Sequence, residues 1–74
     1  MKLTPVDSSM IEAVGYDAET QTLEVLFNSG KRYAYHDVPQ DVYDGLMAAD
    51  SKGQYMRGYI IDVYDWAPVR KGRR

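Results

Sequence analysis

Tyr33-Ala34-Tyr35 is the stretch of this chain whose residue types and spacing point most directly to a chemistry. Residues two apart on a strand share a face, so the two rings would lie side by side, with Lys31-Arg32 just before them. Exposed rings next to cations can stack nucleic-acid bases and hold their phosphates, and stacking contributes about 1–3 kcal/mol per base without requiring a particular sequence. The competing use is structural. A 74-residue domain with one Phe and one Trp needs tyrosines in its core, and these two could pair with Val25, Phe27 or the preceding strand beneath helices.

The C-terminal Arg70, Lys71, Arg73 and Arg74 are a second candidate contact for phosphate, by counterion release without sequence preference; the plainer reading is a solvated end. Residues 1–69 carry five basic side chains against all eleven acidic ones, a balance of −6. Such a body repels a polyanion at long range, so only a local patch could bind nucleic acid. Tyr64 and Trp66, beside Asp62 and Asp65, would pack on the sheet or anchor a protein partner, since Trp and Tyr are frequent interface anchors.

No catalytic constellation stands out. His36 next to Asp37 resembles a tuned base, but no serine, threonine or cysteine is placed to complete a nucleophilic unit. Asp41/Asp44 and Asp62/Asp65 read more simply as solvated helix faces than as metal ligands, and Gly53 to Gly58 lacks the spacing of a phosphate loop. No cofactor and no metal is expected, and the chain is not expected to be an enzyme. Absence of cysteine fits a reducing compartment, which makes the cytoplasm the default, and no stretch has the length to span a bilayer.

Elements must position these residues. Met10 to Asp17 alternates with period two, and Leu23, Val25 and Phe27 alternate with Thr22, Glu24 and Leu26, which predicts two strands with the latter apolar trio facing the core. Asn28-Ser29-Gly30 supplies a tight turn, and Lys31 to His36 returns as a third strand. Pro39 opens a helix whose stripe is Val42, Leu46 and Ala49, with Asp41 and Asp44 near its positive end. Ser51-Lys52-Gly53-Gln54 matches a capping box for a second helix to about Ile61, with Tyr55, Met56, Tyr59, Ile60 and Val63 on its apolar face. Ile60 to Tyr64 would serve equally as a short strand.

The predicted fold class is α+β: a three-stranded antiparallel meander followed by two short helices packed on one face of the sheet, with a short fourth strand near the C-terminus as an option. Residues 1–7 are expected to be a flexible lead-in, 8–66 the domain, and 67–74 a mobile basic tail.

Val14-Gly15-Tyr16-Asp17, Leu23-Glu24-Val25, Tyr33-Ala34-Tyr35, Asp37-Val38-Pro39 and Ser51-Lys52-Gly53-Gln54-Tyr55, over roughly residues 8 to 64, resemble the KTSC domain, named after the C-terminal extension of some lysyl-tRNA synthetases. The resemblance implies a small domain also found alone in bacterial and phage proteins, with no established biochemical activity and a suggested role in RNA binding. The family often continues its last motif with Phe-Asn, where this chain has Met56-Arg57, so a polar role of that asparagine is not carried over. The expected function is a non-catalytic binding module for single-stranded or structured RNA through Lys31, Arg32, Tyr33 and Tyr35, helped by the tail. The alternative is a protein-interaction domain presenting a sheet edge and Tyr64-Trp66. A monomer is expected.

Overall fold

The computed structural model of the chain describes residues 3–69. Five antiparallel strands, β1 (Thr4–Pro5), β2 (Ile11–Asp17), β3 (Thr22–Phe27), β4 (Arg32–Tyr35) and β5 (Trp66–Pro68), lie in sequential order in one sheet. Helix α1 (Gln40–Ala48), helix α2 (Lys52–Tyr55) and a π-helical segment, Met56–Ile60, separate β4 from β5. Leu23 and Val25 of β3 are fully buried and Phe27 packs beside them, as their alternation requires. Leu46 of α1, then Met56 and Ile60, close the same core, so the helical segments cover the face that carries Leu23, Val25 and Tyr35. The α+β class follows from the sequence pattern, and the meander is two strands longer than the three expected.

Strict alternation over Met10–Asp17 would put Ile11 and Val14 on opposite faces, yet both are fully buried in this core. A bulge resolves the conflict. The register to β3 slips between Ile11, opposite Phe27, and Ala13, opposite Leu26, so Glu12 becomes the extra residue and Ile11 returns to the inner face. At the next turn the Gly30 amide donates to the Phe27 carbonyl and the Phe27 amide to the Lys31 carbonyl, both at 2.8 Å. Gly30 there has φ +94°, a left-handed conformation that a Cβ would disfavour, which is why the Asn-Ser-Gly signal was legible.

Pro39 is the N-cap of α1, and its carbonyl accepts from the Val42 and Tyr43 amides. Ser51 caps α2 by accepting the Gln54 amide at 3.3 Å, the serine half of the expected box. After Tyr55 the helix widens, and the Ile61 amide reaches back five residues to the Met56 carbonyl. Met56 and Ile60 remain buried, but Tyr59 and Val63, expected on the apolar face, are 62% and 60% exposed. The reason is local. Ile61 turns extended and Asp62 adopts φ +67°, so the chain leaves the helix before Val63 can follow the stripe inward.

Two further expectations change. Thr4–Pro5, within the presumed lead-in, pairs with Val14 and Ala13, and Ala67–Pro68, assigned to the tail, pair with Ala34 and Tyr33. The additional C-terminal strand is thus Trp66–Pro68, not Ile60–Tyr64, where Ile61 to Tyr64 form turns. Arg70, Lys71, Arg73 and Arg74 lie outside the described residues. Among the described residues no helix is long and apolar enough to cross a membrane.

Candidate binding groove

Pairing of β5 with β4 brings Trp66 opposite Tyr35 and Pro68 opposite Tyr33, a juxtaposition of residues about thirty positions apart in the chain. On the inner face Tyr33 sits between two aromatic neighbours, Phe27 at 5.6 Å and Trp66 at 4.7 Å between ring centroids, both edge-on. Edge-on pairs set the positive rim of one ring against the negative face of another, which fixes the row. Trp66 remains 50% exposed.

Beside this row lies a groove of about 500 Å³ between the β3–β4 turn and the chain at Ile61-Asp62. Its walls are Met10, Phe27, Tyr33, Tyr35, Ile61 and Trp66, and its polar groups come from Ser9, Asn28, Ser29, Lys31 and Asp62. A second groove of about 670 Å³ shares Lys31, Tyr33 and Trp66 and continues to Leu26 and Arg32, whose positions face the opposite side of the sheet. Lys31, Tyr33 and Trp66 therefore form the ridge between two depressions.

The candidate residues separate accordingly. Tyr33 and Tyr35 share a face, but Tyr35 is only 3% exposed and belongs to the core, so it cannot serve as a stacking surface. Its proton is held above the ordinary value near 10, chiefly by burial and then by the proximity of Tyr33 and Asp62. Arg32 does not join Lys31. Its Nε lies 3.3 Å from Glu24 Oε1, near enough for an ion pair though not aligned for a hydrogen bond, and alternation points both side chains away from Tyr33. Tyr64 packs against the core, leaving Trp66 as the exposed member of the Tyr64-Trp66 pair. Lys31 is exposed on the ridge.

His36 is exposed and its amide donates to the Asp65 carbonyl at 2.8 Å, a strand-end contact. Among the described residues no group of three or more His, Cys, Asp or Glu side chains could hold a metal ion. Ser9, Met10, Asn28, Ser29 and Ile61 line the groove without having been singled out for function by the sequence, where Asp62 entered only as one of a carboxylate pair and Phe27 as core. Only the Asn-Ser-Gly turn carried a signal near them, and it was a signal for backbone geometry.

The sheet, its helical cover and this surface groove define a small antiparallel α+β domain. Residues 7–64 match the KTSC domain, and the chain belongs to that family. A protein of Tsukamurella paurometabola is 45% identical over 58 residues, 78% of this chain and 87% of that protein. An uncharacterized protein of Stutzerimonas stutzeri is 46% identical over 74% of this chain and 78% of its own length. A lysine–tRNA ligase of Nostoc punctiforme is 41% identical over 73% of this chain, a segment that makes up 10% of the ligase. The crystal structure of a KTSC domain protein from Yersinia pestis superposes with a TM-score of 0.91 at 32% identity, covering 93% of this chain and 97% of that one.

Proposed function

We propose that this domain is a binding module that holds an unpaired base of RNA against the Trp66–Tyr33 row, with Lys31 meeting the adjoining phosphate. The observation that carries the reading is Trp66, half exposed yet locked edge-on to Tyr33 beside an aromatic groove. A ring already fixed by its neighbours loses little rotamer freedom when a base stacks on it, so most of the stacking free energy is retained. Trp66 takes the place that Tyr35, being core, leaves empty in the expected pair. The presence of this domain as a tenth of lysine–tRNA ligases, proteins that act on tRNA, supports the same reading.

Charge limits the contact to the ridge. Residues 3–69 carry four basic side chains against eleven acidic ones, so affinity would come from stacking more than from phosphate neutralisation. The test is an NMR titration of the labelled full chain with single-stranded RNA at two salt concentrations. Shifts centred on Lys31, Tyr33 and Trp66 that persist at the higher salt are expected. Shifts confined to residues 70–74 would indicate generic charge attraction, and no shift at either salt would overturn the reading.

A further inference from the structure

Asp62 lines the aromatic groove in a conformation that few side chains tolerate, with φ +67°, directly after the extended Ile61. Asp and Asn populate this left-handed region more readily than other residues bearing a Cβ, but neither is needed for that alone, since glycine fits it better. Among the described residues its carboxylate makes no salt bridge and no hydrogen bond, although Lys31 lines the same groove. A negative charge at the mouth of a groove that receives a polyanion weakens binding unless the ligand offers it donors. Of the four RNA bases, guanine alone presents two parallel N–H donors, N1–H and the N2 amino group, on one edge. That edge matches the two oxygens of a carboxylate.

We propose that Asp62 makes this groove selective for guanine, its carboxylate accepting from guanine N1–H and N2–H while the base stacks on Trp66. The inference rests on the RNA-binding reading given above. Uracil has one N–H donor on that edge, flanked by two carbonyl oxygens that the carboxylate repels. Adenine and cytosine each offer an amino group next to a ring acceptor, so neither can satisfy both oxygens.

Trp66 is the only tryptophan, so its fluorescence reports on the groove directly. Dissociation constants would be measured on the full chain with the tetranucleotides UUUU, UUGU, UUAU and UUCU, which avoid the self-association of guanine runs. UUGU is expected to bind about tenfold more tightly than the other three, within the range of one bidentate base contact. Asp62→Asn keeps the left-handed backbone and removes the charge, and Asp62→Gly removes the side chain while suiting the same φ; each should abolish the preference for UUGU and leave binding of UUUU equal or tighter. Equal binding of all four by the unaltered chain, a preference for another base, or a guanine preference that survives both substitutions would overturn the selectivity while leaving the binding reading intact. No binding of any tetranucleotide overturns both.

Discussion

Tyr35 and Trp66 face each other across β4 and β5 and would respond to truncation in opposite ways. Tyr35→Ala leaves a cavity in the core and should cost about 3–5 kcal/mol in urea unfolding, whereas Trp66→Ala forfeits chiefly an aromatic pair contact, about 0.5–1.5 kcal/mol, and should remain folded but fail to shift with RNA. Tyr35 also contributes to the loss of stability at alkaline pH. Its folded pKa is raised above the unfolded value near 10, so the stability linked to its proton is complete below about pH 10 and is lost as pH rises through the folded pKa. Tyr16, beside Asp44, Asp41 and Asp17, and Tyr55 are displaced the same way, burial being the largest cause for each. Thermal melts of Tyr35→Phe between pH 9 and 11 should therefore fall less steeply with pH than those of the unaltered chain.

Among the elements, the pairing of α1 with α2 turns on one glycine. From helix propensity alone, Gly45→Ala would be expected to stabilise α1 by up to about 1 kcal/mol. In the fold a Cβ at Gly45 would overlap the Tyr55 hydroxyl and approach its ring carbon Cζ to 2.9 Å, and the Tyr55 ring is itself held against Tyr59 at 4.8 Å. Gly45→Ala should accordingly destabilise the unaltered chain but stabilise a Tyr55→Ala background, a change of sign that a double-mutant cycle by chemical denaturation would detect. Loss of the α2 cap in Ser51→Ala should cost about 1 kcal/mol in the same assay.

For the whole molecule the outer strands matter most. Both are short and each contains a proline, Pro5 in β1 and Pro68 in β5. The amides of Val69 and His36 mark the bonds that join β5 to β4, and this alternation directs position 68 outward, so Pro68 removes a donor from the free edge. Addition of a partner strand there, part of the protein-interaction alternative, is disfavoured for that reason. Pro68→Val should restore the donor and lengthen the edge, and sedimentation should then report stronger concentration-dependent association than the unaltered chain shows.

Local rules made much of this fold legible in the sequence. The β3 alternation, the Gly30 turn, the Pro39 start of α1 and the Ser51 cap each depend on residues within four positions of one another, so the sequence by itself determined them, together with the fact that Tyr33 and Tyr35 share one face of their strand. The tertiary structure decided what depends on distant partners. Two- and three-residue strands show no period, and Trp66 acquires Tyr33 as a neighbour only through pairing across the helical connection. The bulge at Glu12 and the π-helical turn at Met56–Ile60 are accommodations to the core, where Ile11, Val14, Met56 and Ile60 must all be buried at once. Burial of Tyr35 and exposure of Trp66 were settled in the same way, because an aromatic side chain is core or contact surface according to what packs over it.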